Sequence, residues 1–212
     1  MTPVKTYYEK LAATAMKNLQ LRQIEAHYCP TAKDAAELAL SMVASGSTVS
    51  FGGSVTLTES GMIKALQSRE DLTLLDRSKA RSEEEVAEIY HKSLNADYYF
   101  MSSNAISVTG ELVNTDGTGN RLAALIYGPS NVIILAGMNK VTPSVEAALT
   151  RVKNTASPIN AIRLRRNTPC AASGVCSDCQ SPECICAQTV ITRRSNQANR
   201  IKVILIGEEL GY

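Results

Sequence analysis

Five of the six cysteines in this 212-residue chain stand within 17 residues, as Cys170, Cys176, Cys179, Cys184 and Cys186. Thiolates that dense repel one another and coexist around a cation, in a cluster or as oxidised pairs. In a reducing compartment, metal binding or catalysis is the expected use and a disulfide framework is not. Four thiolates satisfy Zn²⁺ or a [4Fe–4S] cluster. The Cys176-x2-Cys179 pair is a good chelating half, but no second such pair follows, so a plain zinc ribbon fits poorly and iron–sulfur is favoured over zinc. Between Arg163 and Lys202, seven basic residues face two acidic ones. That field suits a four-thiolate centre, which carries about −2 by formal counting. Cys29 stands alone and reads as a small buried hydrophobe.

Three polar loops offer a second kind of chemistry. Gly52-Gly53 ends a strand pattern and runs into a helix. Such a turn lets backbone N–H groups approach an anion, and Ser54 and Thr56 add hydroxyl donors. A tight β–α turn using glycine only for its freedom is the plainer alternative. The stretch Asn114-Thr-Asp-Gly-Thr-Gly-Asn120-Arg121 holds a carboxylate, a guanidinium and two carboxamides. A purely structural turn rarely needs so many directional groups, although Asp and Asn also serve turns by bonding their own backbone. Asn139 and Lys140 follow the most apolar strand pattern, where α/β sheets place ligands. His27 and His91 are isolated, His27 expected at a helix end and His91 on a polar helix face.

The elements that must position these loops follow from periodicity. Apolar residues at helical spacing predict a helix over residues 4–26, and Thr31 caps a second helix to about residue 43. Residues 48–51, 72–75, 98–101, 131–136 and 201–206 read as strands. Helical patterns lie around residues 62–66, from Ser82 to about residue 94, and from Pro143 to about residue 153. Residues 105–108 and 111–114 flank Thr109-Gly110 as a short hairpin. Residues 167–188 read as irregular, an insertion before the last strand. Strands alternating with helices predict an α/β fold with a mostly parallel sheet, in a single domain over residues 1–212.

The formal charge of +2 gives no general case for nucleic-acid or membrane-surface binding. The longest apolar run, residues 132–138, is far short of the roughly 18 residues a membrane span needs. No secretory leader is visible, so a cytoplasmic protein is expected.

The segments Gly52-Gly53-Ser54-x-Thr56-x-x-Glu59-x-Gly61, Asn104-Ala105-Ile106, 114–121, Gly137-x-Asn139-Lys140 and Thr168-Pro169-Cys170 through Cys186 resemble the LUD (lactate-utilisation) domain family, LutC/YkgG type. The resemblance implies a fold similar to ribose-5-phosphate isomerase, glucosamine-phosphate deaminase and the CoA-transferases. It also implies a link to oxidation of lactate to pyruvate. It marks Cys170, Cys176, Cys179 and Cys186 as the core thiols and leaves Cys184 as an extra. The expected protein binds a small anionic carboxylate or phosphate metabolite and carries the iron–sulfur or zinc centre. A homo-oligomer or a redox partner subunit is its expected protein partner. If it is an enzyme, Glu59 or Asp116 is the general base. Arg121 and Lys140 then hold the anion, with Gly52, Gly53, Ser54, Thr56, Asn104, Asn120 and Asn139 around it. The alternative is a non-catalytic partner protein in which structural zinc stiffens a docking surface.

Overall fold

Thr2 caps the first helix of the computed structural model, which describes residues 2–212: its side chain accepts the N–H of Lys5, and Pro3 begins α1 (Pro3–Leu21). The helix stops five residues short of the predicted end. Gln23 turns at φ 60°, and the chain enters β1 (Glu25–Cys29). The helical reading of residues 22–26 fails because β1 is fixed by pairing with a strand from the far end of the chain, which outweighs local propensity. His27 therefore lies on β1, its Nε2 2.8 Å from Glu25 Oε1, and not at a helix end.

The chain continues through α2 (Ala32–Ser41), β2 (Thr48–Phe51), α3 (Val55–Glu59), α4 (Met62–Gln67), β3 (Thr73–Leu75), α5 (Glu83–Ser93) and β4 (Tyr98–Met101). Thr31 caps α2 as expected, accepting from Asp34 N, and Ser82, where the α5 pattern begins, caps that helix by accepting from Glu85 N. The hairpin β5 (Ala105–Ser107) and β6 (Leu112–Asp116) follows, then α6 (Asn120–Ile126), β7 (Asn131–Gly137) and β8 (Val141–Thr142). Next, α7 (Val145–Arg151) runs on through a π-helical turn, Val152–Ala156, into α8 (Ser157–Arg163). The segment read as irregular holds a short helix, α9 (Pro169–Ser173), capped by Thr168. It leads into β9 (Gln188–Thr192) and β10 (Ile201–Ile206).

Six strands form a parallel sheet in the order β1-β10-β7-β4-β2-β3. Both faces are covered, which is why its central strands read as continuous apolar runs. Successive side chains point to opposite faces. Val132, Ile134, Val203 and Leu205 pack with Ala12, Ala15 and Leu19 of α1 and Leu122 of α6. Ile133, Leu135, Ile204 and Ile206 pack with Ala35 and Ala39 of α2 and Leu57, Met62 and Leu66 of α3 and α4. A second sheet, β8-β5-β6-β9, was not expected beyond its hairpin. There β9 pairs antiparallel with β6, placing Gln188 opposite Asp116 and tying the end of the cysteine-rich segment to the polar loop. Among the described residues no helix is long and apolar enough to cross a membrane.

Candidate functional site

Parallel strands deliver their following loops to one side of a sheet, and here the loops after β2, β3, β4 and β7 meet around a cavity of about 360 Å³. The loop after β2 supplies Gly53, Ser54 and Thr56. Arg77 comes from the segment after β3, Ser102, Ser103 and Asn104 follow β4, and Lys140 follows β7. The β6–α6 loop adds Asp116, Asn120 and Arg121. The end of α8 and the residues beyond it add Asn160, Arg163 and Arg166. Five cationic side chains thus face the cavity against one carboxylate, Asp116. A cavity so lined favours an anion, because its low-dielectric walls strengthen the field that the cations project.

The two deepest arginines differ. Arg121 is held by protein groups: Nη1 donates to Ser102 O (3.2 Å) and Asn114 Oδ1 (2.6 Å), and Nη2 to Asn104 Oδ1 (3.0 Å) and Thr115 O (2.9 Å). Its Nε lies 3.7 Å from Asp116 Oδ2. Four of its five N–H groups are therefore committed, and Arg121 ties the two loops together. Asn114, fully buried, completes the tie by accepting the N–H of Asn104 and donating to Ser103 Oγ. Arg77, by contrast, donates only to Tyr90 OH (2.5 Å) among the described residues, and its guanidinium lies 5.6 Å from the Tyr90 ring centroid. Its remaining N–H groups stay available to a ligand. Gly53 makes room for it, since a Cβ there would sit 2.1 Å from Arg77 Nη2.

Lys140 is 3% exposed, and Nζ donates to Thr56 Oγ1 (2.8 Å) and Ser102 Oγ (3.0 Å). Burial, then Arg151 and Arg121, push its pKa down to about 7, while Glu59 opposes the shift. Asp116 Oδ2 is the one buried side-chain oxygen or nitrogen without a hydrogen-bond partner among the described residues. On the cavity wall it is an acceptor without a protein donor.

Of the residues expected at the site, Gly53, Ser54, Thr56, Asn104, Asp116, Asn120, Arg121 and Lys140 line this cavity. Gly52, Glu59 and Asn139 do not. Gly52 donates its N–H to Phe100 O (2.9 Å), so it belongs to the sheet and has no N–H to offer an anion. Glu59 Oε2 accepts the N–H of Gly211 (2.6 Å), and Asn139 bonds Leu210 N and Gly211 O. Together they clasp residues 210–211 and bring Tyr212 to the cavity, its OH donating to Asn160 Oδ1 (3.2 Å). Gly137 permits this clasp: a Cβ there would lie 2.7 Å from Glu208 O and Leu210 N. The helix after Gly53 is only five residues long, and Ser54 Oγ already caps it at Leu57 N.

The sequence reading missed Arg77, Tyr90, Arg163, Arg166 and Tyr212. Arg77 had a usable signal, since it follows a predicted strand just as Gly53 and Lys140 do. The others reach the cavity through packing alone.

All six cysteines are free thiols. Among the described residues no three Cys, His, Asp or Glu side chains are gathered as a ready metal-ion site. Cys176 and Cys184 are near enough to Cys186 to help raise its pKa, behind the larger effect of its burial. Cys184 Sγ also accepts the N–H of Cys186 (3.4 Å). The loop is pinned at its edges: Lys153 Nζ meets Asp178 Oδ1 (3.0 Å), and Asn167 bonds Glu183 and Ser181. Free, soft thiol donors on a basic loop suit a thiophilic metal or cluster, which would have to draw them together. The loop also reaches the cavity, because Ile185, between Cys184 and Cys186, is part of its wall.

The sequence profile of the LUD domain matches residues 12–206. The crystal structure of a DUF162 family protein from Deinococcus radiodurans superposes with a TM-score of 0.54 at 10% identity, covering 94% of this chain and 98% of that one. At that identity the likeness speaks for the fold. Partial likenesses include eIF2B delta from Chaetomium thermophilum (TM-score 0.39, 18% identity, 57% of this chain and 51% of that one). Another is ribose 5-phosphate isomerase A from Neisseria gonorrhoeae (TM-score 0.36, 15% identity, 54% of each chain). None of the curated proteins matches the chain.

Proposed function

The chain belongs to the LUD domain family, and from that premise we propose that it binds a small anionic metabolite of organic-acid metabolism in the cavity at the strand ends. The observation that carries this reading is the cavity wall, with Arg77, Lys140, Arg163 and Arg166 around a space of about 360 Å³ and Asp116 as the lone carboxylate. Arg77 receives the anion through donors the protein leaves unused. Arg163 and Arg166 screen its charge at the mouth. Arg121 and Asn114 hold the loops in register and do not bind it directly.

The cysteine-rich loop is the second part of the proposal. Cys170, Cys176, Cys179 and Cys186 would hold a [4Fe–4S] cluster, with Zn²⁺ as the alternative. A bound cluster supplies one-electron chemistry next to the cavity wall at Ile185, whereas zinc supplies rigidity. The protein's own residues bind and orient the anion in either case. This is the chemistry of a cytoplasmic, lactate-utilisation-like protein, working with a redox partner subunit if the centre is a cluster.

Calorimetric titration of the protein with oxalate, lactate, pyruvate and inorganic phosphate tests the anion site. At least one should bind, more weakly at high salt. Absence of heat for all four at low ionic strength overturns the reading. Anaerobic purification with metal analysis and an absorption spectrum tests the loop: iron with sulfide-bridged absorption supports the cluster, stoichiometric zinc supports the alternative, and neither removes the centre.

A further inference from the structure

Lys140 is buried and stands on the cavity wall, where Nζ bridges the loop after β2 and the loop after β4. Its partners are two hydroxyls whose own protons point elsewhere. Thr56 Oγ1 donates to Leu210 O (3.1 Å), and Ser102 Oγ donates to Ser103 O (3.4 Å). Both oxygens are thus left to accept from Nζ. A neutral amine has two N–H groups, and these two acceptors use both. The lone pair is what remains, and Lys140 stands on the cavity wall. Among the described residues no carboxylate comes within ion-pairing distance of Nζ, while Arg121 and Arg151 both disfavour its charge.

We propose that Lys140 is a carbonyl-reactive amine that takes a small anionic ketone or aldehyde in this cavity as a Schiff base. The proposal rests on the anion-site reading above and narrows it: the ligand carries an electrophilic carbonyl carbon beside its anionic group. The 2-oxo acids are the smallest compounds that meet both conditions, and phosphorylated aldehydes meet them with a phosphate. The lone pair of Nζ attacks the carbonyl carbon. A proton moves from nitrogen to the former carbonyl oxygen, giving a carbinolamine. The second nitrogen proton then passes to that oxygen, which leaves as water as the carbon–nitrogen double bond forms. Asp116, whose buried Oδ2 accepts no protein hydrogen bond, is the acidic side chain lining the same cavity.

Reductive trapping tests this on the whole protein. Pyruvate and, separately, glyceraldehyde 3-phosphate are incubated with it at neutral pH and sodium cyanoborohydride, followed by intact mass and peptide mapping. The expected result with pyruvate is one adduct, the mass of pyruvate less one oxygen, confined to the peptide holding Lys140. Lactate, which has no ketone or aldehyde carbonyl, should give none. Lys140→Arg should give no adduct, and if that variant fails to fold, the wild-type peptide map decides alone. Trapping by pyruvate only, or by the phosphate ester only, supports the proposal and identifies the anionic group. Oxalate binding by calorimetry separates the two failures. If oxalate binds but both probes label surface lysines without Lys140, the Schiff base is overturned and the anion site stands. If none of oxalate, lactate, pyruvate and phosphate binds and Lys140 is unlabelled, both are overturned.

Discussion

The cavity and the cysteine-rich loop lie side by side, sharing a wall at Ile185, yet they are built on opposite principles. Around the cavity the polar groups are held before any ligand arrives: Arg121 makes four hydrogen bonds to acceptors of two segments, and Lys140 makes two to hydroxyls. In the loop the thiols have few protein partners, among them a 3.4 Å contact of Cys170 with Thr168 and one of Cys184 with the backbone of Cys186. The difference teaches where each region's organisation comes from. A sheet-anchored site is preorganised by folding, so its ligand need not bear the cost of ordering it. Under the proposed function, a thiol loop of this kind would have its thiols drawn together by what it binds, and part of the binding energy would be spent on that ordering.

The largest expected effect is therefore on the loop side and is one of presence or absence. Cys176→Ser should lose the iron or zinc of the proposed centre, while Cys184→Ser, outside the family-like set of four, should retain most of it. Metal analysis of both variants checks this. Equal loss would make Cys184 a ligand and displace one of the four.

On the cavity side, the tether comes next. Arg121→Ala should lower stability by about 3–5 kcal/mol in the ligand-free protein, because Asn104 and Asn114 lose their buried donor and Asp116 its ion-pair partner. Denaturant unfolding measures it. A variant as stable as the wild type would show that the loops hold themselves, and the contrast drawn between the regions would weaken.

Arg77→Ala should do the reverse. Stability should change little, and anion affinity should fall about 10- to 100-fold, the loss of a charge-assisted contact worth about 1.5–3 kcal/mol. Calorimetry with the best-binding anion decides it. A stability loss equal to that of Arg121→Ala would make Arg77 a second tether.

The smallest effect, counted per unit of pH, belongs to Lys140. Its folded pKa is about 7, below the value of about 10.4 for a free amine. Between those values the unfolded chain binds more protons than the folded one, so stability rises with pH, by at most about 1.4 kcal/mol per unit. Above that window the penalty is gone, and below pH 7 it is fully present. Lys140→Met should remove this rise, which unfolding curves at neutral and alkaline pH would show. An unchanged slope would mean the amine is better solvated than its burial implies.

Which parts of this were readable from the chain follows from the range of the interactions involved. Thr31 and Ser82 mark their helices because a cap is bonded three residues away. Residues 131–136 and 201–206 mark the sheet centre because burial on both faces demands apolar side chains throughout. The polar loops at Gly53, Lys140 and 114–121 were found because each follows a strand, and parallel strands send such loops to one edge. Local sequence could not show β1, whose partner β10 lies at the other end of the chain, or β9, which is a strand only because β6 is beside it. Nor could it separate Arg121, saturated by the protein, from Arg77, left with donors to spare. The two are the same residue type in similar settings, and only the count of acceptors within reach tells a tether from an arginine with donors to spare. The sequence by itself determined the α/β alternation, the cationic and thiol inventories and most of the loops that carry them. The tertiary structure decided which of those groups are spent on holding the fold and which face the cavity, since hydrogen bonds are satisfied in space and not along the chain.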